Sequence, residues 1–223
     1  MASALALRGK QTLLIDLDAQ ANSTLSFIER ETLERSVYDV IADPSCGLCD
    51  VIQPAARQDN LWVAPARISL AKLEAMLIGE LDSHFRLKDR IESVRDRFPF
   101  VVIDCPPTLG LLTVNALVAA THLLIPIQSS YFALEGTDDL LETVEKVRSR
   151  ANTSLQILGV LITMHDRRTS LARDIKHQIQ KVFGAKVFDT VVSKNVRLEE
   201  SPAYREAIFS FAPDSTGAAD YYR

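Results

Sequence analysis

The sequence contains few of the residues that form disulfide frameworks and glycine-rich loops. Its 223 residues include only three cysteines and eight glycines. Three cysteines provide no disulfide framework, so a reducing cytoplasm is the expected compartment. No Gly-x-x-x-x-Gly-Lys-[Ser/Thr] motif occurs in the sequence. The chain as given therefore has no recognisable loop for cradling the phosphates of a nucleotide.

A hydrophobic run long enough to cross a membrane is also missing. Residues 105–134 carry no Asp, Glu, Lys or Arg, yet a spanning helix needs about 20 consecutive apolar residues. Pro106, Pro107, Asn115 and Pro126 interrupt this stretch. We therefore expect a loop, a buried helix and a buried strand here, and no membrane association.

The composition is that of an ordinary globular protein. Hydrophobic residues make up 47% and charged residues 24% of the chain, which predicts a single domain over residues 1–223. The net charge of −4 does not indicate a polyanion-binding protein. The charge is uneven, however, because residues 163–197 contain eight lysines and arginines against three aspartates, which gives +5 there and −9 elsewhere.

Short apolar runs alternate with longer amphipathic stretches. This alternation predicts an α/β fold with a mainly parallel sheet and helices on both faces. The apolar runs show no period of two, as expected for strands that are covered on both faces. The predicted strands are residues 12–17, 61–64, 100–104, 122–127, 156–163 and 186–192. The predicted helices are residues 2–8, 70–80, 86–97, 112–120, 136–150 and 170–183.

Carboxylates follow two of the predicted strands. Asp16 and Asp18 come at the end of the first strand, and Asp104 ends the third. Because ligands of open parallel sheets bind at the carboxyl ends of the strands, we expect these carboxylates to lie together. They are suited to holding Mg²⁺ or to orienting a water for phosphoryl transfer. A lone aspartate here is often only a helix cap or turn residue, but the repeated pattern favours a functional role.

Four ordered segments resemble ParA/Soj-type partition ATPases, which are deviant Walker A members of the SIMIBI class of P-loop proteins. Residues 2–24, with the sequence Asp-Leu-Asp-Ala-Gln after the first strand, are similar to the family's first helix, second strand and switch I. Residues 102–117, with Asp-Cys-Pro-Pro-Thr-Leu-Gly, are similar to its Walker B strand and switch II. Residues 126–136 and 195–202 resemble two further blocks. The resemblance covers essentially the whole chain and implies a P-loop NTPase-like fold that lacks its first strand and phosphate loop.

The resemblance implies a role for each carboxylate. Asp18 would orient the attacking water, Asp104 would hold the Mg²⁺ shell, and Asp16 would support it. The cofactors implied are therefore ATP and Mg²⁺. The nucleotide-binding positions implied in the same way are Asp16, Gln20, Pro106, Pro107 and Gly110.

The resemblance also implies partners. Members of the family form homodimers, bind nonspecific DNA of the nucleoid when they hold ATP, and are stimulated by a ParB-type protein. The basic segment suits DNA contacts, although a solvated helix face explains the same charges. The residues predicted to contact DNA are Arg168, Arg173, Lys176, Lys194 and Arg197.

One departure from the family pattern dominates the functional prediction. The family's Lys-Gly-Gly-x-Gly-Lys-Thr loop and the strand before it are absent from this sequence, so we expect weak or no ATPase activity. In the family that strand lies inside the sheet beside the Walker B strand, so its loss predicts two unpaired strand flanks. Both a gene fragment with a mis-set start and a genuinely shortened protein fit this pattern.

Three other functions remain open at this point. The first is a non-catalytic ParA-like module that dimerises with an intact ATPase or binds a ParB-type partner. The second is a membrane-binding relative that places the division site, but residues 211–223 do not form the basic amphipathic helix that this function needs. The third is a carboxylate-amide ligase of the same superfamily, such as a cobyrinate-amidating enzyme, which would need a glutaminase-like extension.

Overall fold

The computed structural model describes residues 1–29, 33–77, 79–131 and 134–223. Phe132 and Ala133, which belong to the family-like segment 126–136, lie outside the described residues. The strands are β1 Thr12–Asp16, β2 Gln53–Pro54, β3 Leu61–Ala64, β4 Phe100–Asp104, β5 His122–Gln128, β6 Gln156–His165 and β7 Val187–Ser193. The α-helices are α1 Ala2–Leu7, α2 Asn22–Leu25, α3 Val37–Ala42, α4 Leu73–Met76, α5 Arg86–Glu92, α6 Leu111–Ala119, α7 Thr137–Arg150, α8 Ser170–Phe183, α9 Val196–Glu200, α10 Ile208–Phe211 and α11 Thr216–Tyr222.

The strands form two sheets in which nearly all pairing is parallel. The first sheet has the order β2-β3-β1-β4, and its two-residue strand β2 runs antiparallel to β3. The second sheet has the order β5-β6-β7, and both of its pairs are parallel. The α/β class that the alternation of strands and helices predicts is therefore confirmed, with the strands divided between two sheets.

Strand β1 is the buried centre of the first sheet. Leu13 and Ile15 pack into one apolar cluster and Leu14 into another, so both faces of the strand are covered. The pairing of β1 with β4 sets Asp16 opposite Asp104. Two of the predicted carboxylates thus end neighbouring strands at one edge of the sheet.

Helix α6 connects β4 to β5 and packs against both sheets. Leu112 and Ala116 belong to the apolar cluster around β1 and β4. Leu117 and Val118 belong to a second cluster, against which Leu123 of β5 packs. The charge-free stretch thus contains a buried helix and a strand, as predicted. Within the described ranges, no helix is both long enough and apolar enough to cross a membrane.

Several short elements differ from the predicted boundaries. The predicted helix over residues 70–80 is a 3₁₀ turn, Ile68–Lys72, that leads into α4. Helix α5 ends at Glu92 rather than at 97, because tighter turns follow it; for example, the amide of Arg97 donates to the carbonyl of Val94. Sequence patterns do not predict β2, α2, α3 or α9 to α11, since such short elements show no hydrophobic period.

Asn115 is a buried polar residue of α6 that caps the start of α5. Its side chain is fully buried. Its Nδ2 donates to the carbonyls of Ser83 at 2.9 Å and Leu111 at 3.0 Å, and its Oδ1 accepts from the amide of Leu87 at 3.2 Å. The first amides of a helix have no partner inside that helix. Asn115 therefore satisfies one of them from a neighbouring helix.

Replacing Asn115 with alanine should lower the free energy of unfolding by about 2–4 kcal/mol, because buried polar groups lose their partners. Urea unfolding followed by circular dichroism measures the change. Gln178→Ala, at an exposed position of α8, is the matched control and should shift stability by no more than about 0.5 kcal/mol. An equally small effect of Asn115→Ala would contradict the capping role.

Candidate functional site

The buried carboxylate of Asp16 fixes the loop that follows β1. Its Oδ2 accepts hydrogen bonds from the Thr24 amide at 2.8 Å and the Thr24 hydroxyl at 2.7 Å. Its Oδ1 accepts the amide of Asp18 at 3.0 Å. The Thr24 hydroxyl also accepts the amide of Ala66 at 2.8 Å. The loop is thereby tied to the segment that follows β3.

The same burial changes the acidity of Asp16. Desolvation raises the pKa of Asp16 from 3.8 to about 6. The hydrogen bonds from Thr24 and Asp18 oppose this rise in pKa because they stabilise the ionised form, whereas the nearby carboxylate of Asp104 adds to it. The oxygens of Asp16 are already engaged within the protein, so any support that Asp16 gives to a metal is indirect.

Asp104 and Asp18 present carboxylates at the same edge of the sheet. Asp104 is half-buried, and its Oδ2 accepts a hydrogen bond from the Ser23 hydroxyl at 2.5 Å. Asp18 lies on the loop after β1, where its Oδ1 accepts the amide of Gln20 at 3.0 Å. The structure thus brings together the strand-end carboxylates that the sequence singles out. Their catalytic and metal-binding roles stay predictions.

A groove of about 450 Å³ opens beside this carboxylate edge. Its lining includes Asn22, Ser23 and Leu25 from α2, and Pro202 from the carboxyl-terminal part of the chain. Ser23 is the residue of this lining that also bonds to Asp104, and none of the three carboxylates is itself part of the lining.

The loop after β4 carries the predicted switch II positions. Pro107 is exposed, and Pro106 and Gly110 are half-buried. The hydroxyl of Thr113 donates to the carbonyl of Thr108 at 2.6 Å, which ties the loop to the first turn of α6. The loop is therefore held at the carboxyl end of β4.

The oxygens at this edge are of the kind that Mg²⁺ prefers. Mg²⁺ keeps several waters and takes one or two protein carboxylates together with phosphate oxygens. The half-buried carboxylate of Asp104 and the hydroxyl of Ser23 fit that mode. In the part of the chain that the structure describes, no group of three or more His, Cys, Asp or Glu side chains is arranged to hold a metal. The described residues thus fit a hydrated ion that takes its other ligands from a phosphate.

A second groove, of about 460 Å³, lies at the carboxyl ends of β6 and β7. His165, at its base, is buried, and its Nδ1 is 3.0 Å from the Ser129 hydroxyl. Burial lowers the pKa of His165, and the charges of Lys176 and Arg167 lower it further. This lowering of the pKa favours the neutral imidazole. The groove is lined by His165, Asp166, Arg167, Arg168, Ser193, Lys194 and Val196.

The five basic residues predicted to contact DNA do not share one environment. Arg168 makes two side-chain contacts of 2.9 Å to Asp166, and these hydrogen bonds lower the pKa of Asp166 to about 2. Arg197 pairs with Glu200 at 2.8 Å. Among the described residues, no ion pair is found for the other three, which are Arg173, Lys176 and Lys194.

Sequence patterns do not assign a role to four polar residues of these two regions. Ser23 and Thr24 lie in a family-like segment, but their contacts depend on groups that fold against them, including a carboxylate 81 residues further along the chain. Ser129 and His165 meet only when β5 pairs with β6. Met164, just before His165, has a φ of 51°, a backbone conformation that its residue type does not signal.

Comparison with known proteins shows what the chain is similar to. A family model described as an AAA domain matches residues 1–157. The sporulation initiation inhibitor protein Soj of Bacillus subtilis is 42% identical over 222 residues, which cover 99% of this chain and 87% of that protein. The chromosome partitioning protein ParA of Caulobacter vibrioides is 37% identical over 228 residues, which cover 100% of this chain and 84% of that protein.

A solved structure with the same architecture is that of cobyrinic acid a,c-diamide synthase from Mycobacterium smegmatis, with bound ADP and magnesium. It matches with a TM-score of 0.85 and 29% identity over 99% of this chain and 82% of that one. The family resemblance and the P-loop NTPase-like fold predicted from the sequence are therefore confirmed.

The raised pKa of Asp16 predicts a pH-dependent stability. The folded protein holds the Asp16 proton more tightly than the unfolded chain does, so this contribution is complete below about pH 4 and is lost as the pH rises through about 6. Asp16→Asn does not titrate. The stability of the wild type relative to this variant should fall by up to about 3 kcal/mol between about pH 4 and pH 7.

Urea unfolding at several pH values measures this difference for Asp16→Asn. Asp59→Asn, at an exposed position, is the matched control, and its stability difference from the wild type should stay nearly constant with pH. A pH-independent difference for Asp16→Asn would show that Asp16 ionises in the folded protein as it does in the unfolded chain.

Proposed function

The chain belongs to the ParA/Soj-type family of partition ATPases, and we propose that it takes part in the ATP-dependent segregation of plasmid or chromosomal DNA. The observation that carries the proposal is the carboxylate edge at the ends of β1 and β4, with Asp18 on one side and the Asp104–Ser23 pair on the other. This is the place where a parallel sheet binds its ligand.

We assign a separate role in phosphate handling to each residue of this edge. One oxygen of Asp18 is braced by the amide of Gln20, and we assign the other oxygen to orienting a water. Ser23 holds the carboxylate of Asp104 in one direction, so that Asp104 can receive a hydrated Mg²⁺. The ion, when bound with ATP, supplies positive charge that stabilises the phosphoryl transfer. Asp16 acts through its neighbours, by fixing the loop that carries Asp18 and Ser23.

The absence of a phosphate-loop motif from the sequence sets the expected level of activity. Phosphoryl transfer depends mainly on positioning and on charge stabilisation, which the amides and lysine of such a loop provide. We therefore propose that the chain alone hydrolyses ATP weakly or not at all. The same absence favours a second candidate function, in which the chain is a non-catalytic module that pairs with an intact ATPase or occupies a ParB-type partner.

A DNA-binding face on the α8 side of the molecule is part of the proposal. Arg173 and Lys194 are exposed, whereas Arg168 and Arg197 are engaged by acidic neighbours. Contacts to phosphates by lysine and arginine are independent of base sequence and release counterions. We therefore assign nonspecific DNA binding mainly to Arg173, Lys176 and Lys194, in a cytoplasmic protein that associates with the nucleoid, with a second copy and with a ParB-type protein.

A comparison of Asp18→Asn with deletion of the gene separates the two candidate functions. If the chain takes part in ATP turnover, Asp18→Asn should raise the frequency of DNA-free cells, or the rate of plasmid loss, as much as deletion does. The physical reason is that positioned proton acceptors contribute about 10²–10⁴-fold to such reactions. Asp59→Asn is the matched control and should behave as the wild type.

A strong deletion phenotype with no effect of Asp18→Asn would favour the non-catalytic module. If deletion itself leaves DNA segregation unchanged, the proposed function is wrong.

The double substitution Arg173→Ala and Lys194→Ala should weaken binding to random duplex DNA and flatten its salt dependence. Each phosphate contact that is lost should reduce the slope of log K against log salt by about 0.9. Fluorescence anisotropy across a salt series measures both quantities. Arg148→Ala, on α7 and paired with Glu145, removes one cation elsewhere and should leave the slope unchanged. If the wild type, the double variant and Arg148→Ala all show the same slope of log K against log salt, Arg173 and Lys194 do not contact DNA phosphates.

A further inference from the structure

The second groove contains a buried imidazole to which the proposed function assigns no role. His165 ends β6 at the base of this groove and is 6% exposed. The residue before it, Met164, has a φ of 51°, and strained backbone of this kind is concentrated at functional sites. The carbonyl of His165 accepts the amide of Lys194 at 3.2 Å. The backbone of His165 is thereby fixed between the ends of β6 and β7.

The contacts of Ser129 determine which nitrogen of the neutral imidazole carries the proton. The single hydroxyl proton of Ser129 is donated to the carbonyl of Ala172 at 3.3 Å. The same hydroxyl oxygen lies 3.0 Å from Nδ1 of His165, so it accepts a hydrogen bond from Nδ1–H. The neutral ring therefore has its lone pair on Nε2.

Nε2 of His165 is open to the groove. Among the described residues, no hydrogen bond is found to this nitrogen. In the same part of the chain, the one buried side-chain nitrogen or oxygen without a partner is Nε of Arg90, so Nε2 of His165 is accessible to solvent. Because His165 lines the second groove, Nε2 offers a hydrogen-bonding position to a ligand there.

The charged groups around His165 come from the loop after β6, from helix α8 and from the segment after β7. They are Asp166, Arg167, Arg168, Lys176 and Lys194. Asp166 is paired with Arg168 at 2.9 Å, and the buried carboxylate of Asp220 in α11 accepts the amide of Ser193 at 3.0 Å. In the described ranges, no ion pair neutralises Arg167, Lys176 or Lys194. The groove therefore has an excess of positive charge.

This arrangement suits a phosphodiester group, provided that the imidazole is protonated. A phosphodiester carries one negative charge and has no proton to donate at neutral pH, so the surrounding cations attract it. The lone pair on Nε2 of neutral His165 repels its oxygens, whereas a protonated ring offers them a charged donor. A bound phosphate in turn offsets the charges of Lys176 and Arg167, which lower the pKa of His165 when the groove is empty.

We propose that the second groove binds one phosphate of the DNA backbone, and that His165 takes up a proton from solvent and donates a hydrogen bond from Nε2 to that phosphate. DNA binding and protonation of His165 are then linked, so each strengthens the other and a lower pH favours binding. This inference rests on the proposed DNA binding and adds to it a residue and a dependence on pH.

Fluorescence anisotropy with a random-sequence duplex, at constant salt and between about pH 8 and about pH 6, tests the linkage. The affinity of the wild type should rise by about five- to tenfold as the pH falls through this range. His165→Asn keeps a donor towards Ser129 but does not titrate, so its affinity should change by less than about twofold. His177→Asn removes another imidazole, exposed on α8, and should behave as the wild type.

Nitrogen-15 NMR of the imidazoles tests the same site in the wild type, without a variant that has to fold. In the protein alone at about pH 7.5, the signals of His165 should show a proton on Nδ1 and a lone pair on Nε2. With saturating duplex at about pH 6.5, both nitrogens of His165 should be protonated. A parallel titration with dimethyl phosphate presents the same diester group without a duplex.

The outcomes separate this inference from the proposed DNA binding. If the duplex binds and its affinity is independent of pH, or if the dependence survives in His165→Asn or is lost in His177→Asn, the inference is wrong and DNA binding stands. A neutral ring with its proton on Nε2 also overturns it. If the duplex does not bind, the DNA-binding part of the proposed function is wrong. Protonation of His165 by dimethyl phosphate would then retain the phosphate site, and its absence would overturn that site too.

Discussion

The hydrogen bonds to the buried carboxylate of Asp16 hold the part of the molecule on which the candidate site depends. They fix the amides of Asp18 and Thr24, and the Thr24 hydroxyl extends the connection to Ala66 after β3. Hydrogen bonds to a charged group contribute about 1.5–3 kcal/mol each, which offsets only part of the desolvation, so the pKa of Asp16 stays raised. Because Thr24 is fixed, the hydroxyl of the adjacent Ser23 lies within hydrogen-bonding distance of the Asp104 carboxylate.

This bonding also retains a strained backbone. Ala21 has a φ of 57°, a left-handed conformation that costs a residue with a β-carbon about 1–2 kcal/mol. The bonds from Asp18 and Thr24 to Asp16 lie on either side of Ala21 and stabilise the loop between β1 and α2. Cys105, just past β4, contributes no reactive group here, because burial and the adjacent Asp104 raise the pKa of its thiol to about 12.

The division of the strands into two sheets affects the same region. Strand β4 ends in Asp104, and among the described strands it pairs with β1 alone. Helix α6 compensates in part, since it packs against both sheets and is secured to α5 by Asn115. The position of the carboxylate edge therefore depends on the pairing of β4 with β1 and on the packing of α6.

The sequence by itself determined the α/β class, the strand-end carboxylates and the extent of α8, because continuous apolar runs and a 3.6-residue period are local properties. It also determined the family, through ordered motifs. Only the tertiary structure decided that Asp16 is an internal anchor and that Ser23 faces Asp104. These features depend on burial and on contacts between distant residues, which no local pattern encodes.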